Sequence, residues 1–577
     1  MYYDGKIYLA KDGEDKLYLL PDKANRHGLI AGATGTGKTV TLKVMAESFS
    51  DAGVPVFMAD VKGDLAAMCH PGVETEDMQK RIERFGLAEC GFDFRAYPVN
   101  YWDIFSQSGL PLRTTITEMG PVLLSALLEL TPTQEDILNI VYRIADDEGL
   151  LLIDSKDLRS MLAYVAENSK EYSNTYGNIN KSSLNVIQRG VAALETQGAD
   201  VFFGEPALNI RDWIRQDNTG KGYINILDSR SLINSPKMYA MFLLWLLSEL
   251  FEILPEVGDQ PLPKMIFFFD EAHLLFTDAP KALLRKIEQV VKLIRSKGVG
   301  VYFITQNPAD IPDSVLAQLG NKVQHALHAY TPAEQKGIKA AADSFRSNPD
   351  FDTKEVLQQL GTGEALVSFL QEDGSPAMVR SAKILPPQSS MGTVDEDERM
   401  SMVQNSMLYY QYSEAVDRDS AFEFLQRMQI EQAELLAQQA ERLAAEKEAE
   451  KQRIAEEKAA EKERIAAEKA AEKARIAAEK AAEKQRIAEE KAAEKARLAA
   501  EKAAEKQRIA EEKAAEAAEK KKKAAIASTA KTAAGTVGRE LGKTVGNAVG
   551  GKFGKTLGGN LGASLGRGLM GTLFGRK

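Results

Sequence analysis

The feature that most constrains this 577-residue sequence is a short group of glycines ending in a lysine and a threonine, Gly32-Ala33-Thr34-Gly35-Thr36-Gly37-Lys38-Thr39. It follows a strand-like apolar run, His27 to Ala31, and precedes a segment with a helical pattern, Val40 to Ser48. Glycines at this spacing let the chain turn sharply from strand to helix while successive amides converge. Converging amides at a helix N-terminus attract phosphate oxygens, so the sequence predicts a phosphate-binding loop.

The residue types in this loop fit a nucleoside triphosphate. Lys38 is expected to reach the β and γ phosphates, and the hydroxyl of Thr39 is expected to hold Mg2+. The sequence therefore predicts ATP and Mg2+ as ligands. The expected nucleotide-binding residues are Gly32, Ala33, Thr34, Gly35, Thr36, Gly37, Lys38, Thr39 and Val40.

A second motif supplies acidic groups. The apolar run Met265 to Phe269 ends in Asp270 and Glu271. Asp270 is expected to orient the water shell of Mg2+, and Glu271 to act as the general base that polarises the attacking water. The alternative is a strand that merely ends in two acids. With the phosphate-binding loop present, we interpret the pair as the second half of a site that hydrolyses its nucleotide.

Two further side chains complete the candidate catalytic set. The run Gly300 to Ile304 is followed by Gln306, which we interpret as a sensor of the γ phosphate; the alternative is a structural strand cap. Arg295 ends the preceding helical pattern and cannot easily point into its own site. We interpret it as an arginine finger that acts on a neighbouring subunit, and the alternative is a solvated arginine favourable to the helix dipole.

The first two thirds of the chain predict the fold class. Apolar runs of strand length alternate with longer helical patterns, which indicates an α/β fold with a largely parallel sheet. The candidate central strands are Val54 to Met58, Tyr223 to Leu227, Met265 to Phe269 and Gly300 to Ile304. We expect a P-loop core in two parts, residues 1–130 and 222–387, that flank an all-α insertion at 131–221.

The composition changes after Pro387. A connecting helical segment is expected at 388–430, followed at 431–523 by a stretch of Ala, Glu, Lys, Arg and Gln that repeats every 11 residues. The repeat is marked by Arg453, Arg464, Arg475, Arg486, Arg497 and Arg508. This composition predicts a helix. Lys and Glu occupy the positions four and seven residues after each Ile, so a solvated single helix and a weak coiled coil both remain open.

Residues 524–577 form a basic tail with glycine at every fourth position from Gly538 to Gly566. An apolar residue precedes each of these glycines. On a helix this pattern places a glycine ridge beside an apolar ridge, which suits self-association or binding to a membrane surface. A flexible tether is the alternative.

Composition excludes several classes of protein. Two cysteines, Cys69 and Cys90, cannot make a disulfide framework, and the five histidines form no metal-ligand spacing. The longest apolar stretch, Met238 to Leu247, is far shorter than the roughly 20 residues of a membrane span. No secretory leader is recognisable, so a cytoplasmic location is expected, with membrane association possible only through the tail.

The net charge of -10 divides unevenly along the chain. Residues 524–577 carry eight Lys or Arg and one Glu, a net of +7, which leaves -17 on the first 523 residues. A negative surface repels phosphate, so any DNA contact has to be a local basic patch.

Taken together, these elements resemble the HerA/FtsK superfamily of hexameric P-loop motor ATPases, and specifically its bacterial HerA-like helicase branch. The resemblance covers about residues 3–427 and the last few residues. It also rests on Asp60-Val61-Lys62-Gly63-Asp64, Trp102-Asp103, Gly120-Pro121, Phe202-Phe203-Gly204-Glu205-Pro206, Gly363-Glu364-Ala365 and Arg567-Gly568-Leu569-Met570-Gly571.

The resemblance implies a RecA-like ATPase core with a helical insertion, a hexameric ring in which Arg295 acts in trans, and DNA as the substrate. The 11-residue repeat departs from the family, and the roughly 31 residues before the loop are too few for a β-barrel. We therefore expect an ATP-hydrolysing motor that translocates along or unwinds DNA. The competing hypothesis is an ATP-switched, membrane-associated assembly protein that functions through its spacer and tail.

Overall fold

The computed structural model describes residues 1–232, 235–258, 260–276, 281–328 and 331–498. Within these residues, thirteen strands form one sheet. They are β1 (Tyr2–Tyr3), β2 (Lys6–Asp12), β3 (Asp15–Leu19), β4 (Gly28–Ala31), β5 (Val56–Asp60), β6 (Val99–Asp103), β7 (Leu110–Pro111), β8 (Ile224–Asp228), β9 (Met265–Phe269), β10 (Val299–Thr305), β11 (Asn321–His325), β12 (Glu364–Ser368) and β13 (Arg380–Ile384).

The order of the strands is β1-β2-β13-β12-β11-β4-β10-β9-β5-β8-β6-β7, with β3 paired to β2. From β11 to β7 every neighbouring pair is parallel, whereas β12, β13 and the first three strands pair in antiparallel fashion. The predicted α/β fold with a largely parallel sheet is confirmed. The four predicted central strands are β5, β8, β9 and β10, each placed within two residues of its predicted ends.

The described residues also form seventeen α-helices. They are α1 (Lys38–Asp51), α2 (Glu76–Phe85), α3 (Ile116–Leu127), α4 (Pro132–Asp147), α5 (Ser155–Glu167), α6 (Ser169–Tyr176), α7 (Lys181–Glu195), α8 (Ala199–Phe202), α9 (Pro236–Ile253), α10 (His273–Phe276), α11 (Lys281–Ile294), α12 (Asp313–Leu316), α13 (Pro332–Asp343), α14 (Thr353–Gln359), α15 (Glu396–Asn405), α16 (Tyr409–Tyr412) and α17 (Ala421–Leu498).

A continuous series of helices, α3 to α8, lies between β7 and β8. Thr115 begins α3 and Thr131 begins α4, each through a capping box. Such a cap satisfies amides that the first helical turn leaves unpaired. The helical region begins at Ile116, earlier than the expected residue 131, and α3 is kinked at Gly120 ahead of Pro121.

The core is continuous from the sheet into α9, whose residues Met238 to Leu247 are all buried. A helix that is apolar on every side has to be enclosed by other elements, and α9 packs against α3, α10 and α11. Phe57 on β5 stacks on Trp213 with ring centroids 4.8 Å apart. Among the described residues, no helix has both the length and the apolar character that a membrane span requires.

The segment after the last strand folds back onto the core. The buried carboxylate of Glu47 on α1 accepts hydrogen bonds from the backbone amides of Gln388, at 2.8 Å, and Ser389, at 2.9 Å. Arg399 on α15 lies 3.1 Å from Asp228, with its guanidinium over the ring of Tyr101. These buried contacts attach the segment after β13 to α1 and to the carboxyl end of β8.

The chain contacts define two compact units, Met1–Glu441 and Arg442–Lys577. Helix α17 begins at Ala421, where Ser420 and Glu423 cap its first turn, and it continues without a break past the expected boundary at residue 430. Within the second unit, the isoleucines of the repeat are 41–45% exposed. Helical structure up to Leu498 agrees with the composition of the repeat. The rest of the repeat, at 499–523, and the glycine-rich tail lie outside the described residues.

Candidate nucleotide site

The glycine-rich loop joins the end of β4 to the start of α1. Gly32 has φ +153° and Gly37 has φ +116°, both in the region that favours glycine. A Cβ built on Gly32 would lie 2.5 Å from the Cβ of His325 on the neighbouring strand β11. The first glycine is therefore required for close packing as well as for backbone conformation.

Lys38 is the first residue of α1 and is buried beneath the loop. Its Nζ donates hydrogen bonds to the carbonyl oxygens of Gly32, at 2.7 Å, and Ala33, at 3.0 Å. Burial, and then the nearby positive charge of Lys62, lower the pKa of Lys38. A partly desolvated ammonium at the mouth of a helix N-terminus has a strong electrostatic preference for an anion such as phosphate.

The residues expected to hold Mg2+ are Thr39 and Asp270, and a further carboxylate lies next to Thr39. The hydroxyl of Thr39 donates to Oδ2 of Asp64 at 3.2 Å. Asp270 follows β9 and is buried, and burial together with the charge of Glu271 raises the pKa of Asp270 to about 7. Hydroxyl and carboxylate oxygens are the ligands that Mg2+ prefers.

The protein alone does not complete a metal site in the part of the chain that the structure describes. No group of three or more His, Cys, Asp or Glu side chains is arranged there to hold a metal ion. Thr39, Asp64 and Asp270 fit the usual Mg2+ arrangement, in which few protein oxygens share the ion with phosphate and water.

Glu271 has an unusual conformation and several polar neighbours. It is 5% exposed and has φ +47°, a strained value for a side chain of this size. Oε1 lies 2.7 Å from Nζ of Lys62, and Oε2 lies 3.2 Å from Nδ1 of His273. Burial alone would raise the pKa of Glu271, but the hydrogen bond and charge of Lys62 outweigh it and hold the pKa below its usual value.

The structure brings Gln306 into the same cluster. Strands β9 and β10 are parallel neighbours, so Glu271 and Gln306, which follow their carboxyl ends, lie side by side. Nε2 of Gln306 is 3.3 Å from both carboxylate oxygens of Glu271. Of the sequence-predicted catalytic residues, Glu271 and Gln306 are in direct contact, and the charge of Glu271 acts on buried Lys38.

Arg295 does not join this cluster. It starts the short 3-10 helix Arg295–Lys297 that precedes β10, so it lies near the amino end of the strand that Gln306 follows. Asn25, which precedes β4, donates from Nδ2 to the carbonyl oxygen of Arg295 at 3.4 Å. The Arg295 side chain is exposed at the sheet edge opposite the phosphate-binding loop.

Sequence reasoning missed Lys62 and Asp64 as members of the site. Both lie in the loop that follows β5, the strand next to β9. Oδ1 of Asp60 accepts from the amide of Gly63 at 2.7 Å and Oδ2 from the amide of Leu65 at 3.1 Å, which fixes the loop. The sequence signals only that polar residues following parallel strands meet at one edge of the sheet. It does not specify that β5 lies next to β9.

His325, one of the five histidines without metal-ligand spacing, lies buried on β11 behind the loop. Nε2 lies 2.8 Å from the hydroxyl of Thr41 and Nδ1 lies 3.0 Å from the carbonyl oxygen of Glu364. Burial lowers the pKa of His325 to about 4. The residue supports the loop from β11 as a neutral ring.

Comparison with known proteins gives a family match and more distant likenesses. The family model described as Helicase HerA-like C-terminal matches residues 6–497. A stretch of 99 residues is 27% identical to the DNA double-strand break repair helicase HerA of Sulfolobus acidocaldarius, and this stretch is 17% of the chain and 19% of that relative. The chain therefore matches about a fifth of the relative's length.

Two solved structures are matched at low identity and low TM-score. The structure of VirB4 of Thermoanaerobacter pseudethanolicus is 15% identical with a TM-score of 0.43, and the match covers 66% of this chain and 97% of that one. Plasmid coupling protein TrwB in complex with ADP and Mg2+ is 15% identical with a TM-score of 0.41, and the match covers 67% of this chain and 91% of that one.

Proposed function

Because the chain belongs to the Helicase HerA-like C-terminal family and carries the site of a P-loop ATPase, we propose that it is an ATP-driven motor that translocates along or unwinds DNA. The observation that carries the hydrolytic part is the Glu271 carboxylate. It lies beside Gln306 at the carboxyl edge of the sheet, and the phosphate-binding loop, which follows β4, lies at the same edge. The DNA substrate rests on the family and on the helicase named among the relatives.

The proposed site assigns a role to each group of side chains. The amides of the loop and the ammonium of Lys38 bind the phosphates, while Gln306 reports on the terminal one. Glu271 accepts a proton from the attacking water. Thr39 and Asp270 would hold Mg2+, which would supply positive charge to neutralise the phosphates.

We further propose that the protein acts as a ring, in which Arg295 of one subunit reaches the nucleotide of the next. The position of Arg295 supports this proposal, since it lies at the edge of the sheet opposite its own phosphate-binding loop. Six subunits are the number that the family resemblance suggests. The domain limits proposed from the sequence, with a core at 1–130 and 222–387 around a helical insertion at 131–221, belong to the same proposal.

The proposal is tested by the ATPase rate of the full chain without DNA, with duplex DNA and with single-stranded DNA. We expect DNA to increase the rate. The matched control is Glu271→Gln, which keeps the size of the side chain and removes the base. A wild-type rate that DNA leaves unchanged, together with nucleotide-dependent clustering on liposomes, would favour the ATP-switched assembly protein instead.

A further inference from the structure

Lys62 lies at the carboxyl edge of the sheet, close to Glu271, although none of the ATPase roles assigned above involves it. It follows the end of β5 by two residues, and β5 is the parallel neighbour of β9, which ends at Phe269. The topology therefore brings the loop after β5 beside Glu271. The 2.7 Å contact between Nζ of Lys62 and Oε1 of Glu271 is a direct result of this arrangement.

The backbone of the Lys62 loop is held by hydrogen bonds, whereas the Lys62 side chain is partly exposed to solvent. Asp60 accepts hydrogen bonds from the amides of Gly63 and Leu65, and Gly63 has φ +79°. Asp64 accepts from the hydroxyl of Thr39 and so connects the same loop to α1. The Lys62 side chain is 42% exposed, whereas that of Glu271 is 7% exposed. A long, partly solvated ammonium can change partners at little cost in packing.

The Glu271 carboxylate has three polar neighbours, which is more than a free general base would have. Lys62 lies close to one oxygen, His273 close to the other, and the amide of Gln306 close to both. Hydrogen bonds to an ionised carboxylate stabilise that form and make it a weaker proton acceptor. Opening the shortest of these contacts, that of Lys62, would make Glu271 a stronger proton acceptor from water.

Among these three neighbours, Lys62 has an alternative anionic partner, namely the phosphate chain of a nucleotide bound at the loop. Its positive charge is near enough to Lys38 for the two ammonium groups to repel each other. A polyphosphate bound at the loop relieves that repulsion because its terminal oxygens are attracted to both groups. A diphosphate bound in the same place presents no third phosphate to compete with Glu271.

We propose that Lys62 senses the terminal phosphate of a bound nucleoside triphosphate. It holds Glu271 when a diphosphate is bound and moves to the γ phosphate when a triphosphate is bound, which frees one carboxylate oxygen to accept the proton of water. Lys62 thereby couples the presence of the substrate to the availability of the base. This inference rests on the proposed ATPase site and adds one residue to it.

The test compares Lys62→Met, which keeps the chain length and removes the charge, with Lys62→Arg, which keeps the charge. Lys80→Met is the matched control, because Lys80 is exposed on α2. The measured quantities are kcat for ATP and the dissociation constants of ADP and of a non-hydrolysable ATP analogue. A bond to a charged group justifies an expected loss of about tenfold in the preference of Lys62→Met for the triphosphate over ADP.

We also expect kcat of Lys62→Met to fall, because the γ phosphate loses a positive charge that stabilises the transition state, even though Glu271 is then free. The ADP affinity should stay within about twofold of wild type, a combination that a purely structural role would not give. Lys62→Arg should regain most of the triphosphate preference. If Lys62→Met keeps the wild-type preference for the triphosphate over ADP, the proposal is overturned. An increase in kcat of this variant overturns it too, because Lys62 would then be only an inhibitory contact. If Lys62→Met does not fold, a Lys62→Arg protein without triphosphate preference overturns it instead. Failure of wild type itself to hydrolyse ATP would contradict the ATPase proposal, separately from Lys62.

Discussion

His27 makes the stability of the catalytic core depend on pH in a direction that the structure fixes. Its ring is buried at the start of β4, where Nδ1 accepts from the amide of Val301 at 3.0 Å and Nε2 lies 2.8 Å from the carbonyl oxygen of Val291. This pairing satisfies the neutral ring, with the proton on Nε2. A second ring proton would face the Val301 amide and lose that hydrogen bond.

The size of the effect follows from the pKa of His27. Burial, with a smaller contribution from the charge of Arg295, lowers this pKa from 6.5 to about 4. The unfolded chain therefore takes up a proton at a higher pH than the folded chain, so the contribution is fully present above pH 6.5 and is lost as the pH falls towards 4. Relative to pH 8, the loss in free energy of unfolding is about 0.8 kcal/mol at pH 6 and about 2 kcal/mol at pH 5.

His27→Gln is the matched variant, because its amide can donate to Val291 and accept from Val301 without titrating. We would follow urea unfolding of both proteins at pH 8 and pH 6 by the fluorescence of the three buried tryptophans, Trp102, Trp213 and Trp245. The wild type should lose about 0.8 kcal/mol more than the variant over this interval. The contribution of His325 to the loss of stability is the same in both proteins and cancels in the difference. Equal losses in the two proteins would refute the assignment of a neutral, desolvated His27.

Two further predictions concern turnover. Glu271→Gln should bind ATP as tightly as wild type but lower kcat by about 10²- to 10⁴-fold, because an amide cannot accept the proton of water. Single-turnover hydrolysis and ATP binding measured on the same protein check this prediction. A near-normal rate would contradict the role of Glu271. Arg295→Ala should lower kcat by up to about 10³-fold with little change in nucleotide affinity, and mixing it with Lys38→Ala subunits should restore part of the rate if the finger acts between subunits.

The central strands could be predicted from the sequence because their residues are apolar and their ends are marked. β5, β8, β9 and β10 are buried along their whole length, and each reads as a short apolar run. β11 could not be found in this way, since its sequence is Asn-Lys-Val-Gln-His. Its polar residues are buried through specific partners: Asn321, for example, donates to the carbonyl oxygen of His27 and accepts from the amide of Leu370.

The candidate site was predictable to the extent that its residues belong to known motifs. Lys38, Thr39, Asp270 and Glu271 lie in two such motifs, and a strand end places Gln306 beside Glu271. The contact of Lys62 with Glu271 depends on β5 lying next to β9. No local pattern specifies this, because 204 residues lie between Asp60, the end of β5, and Met265, the start of β9. Sheet order is a property of the whole chain, so this contact needed the structure.

The position of Arg295 makes its test between subunits decisive. Gln306 follows β10 at the edge that carries the phosphate-binding loop, and Arg295 precedes β10 at the opposite edge. β10 has seven residues, all buried, and at about 3.3 Å per residue it spans roughly 23 Å. An arginine side chain is far shorter than that distance, so Arg295 cannot reach the nucleotide of its own subunit. If Arg295→Ala lowers turnover, mixed rings with Lys38→Ala should recover activity; mixed rings that form and recover none at any ratio would show that the loss has another cause.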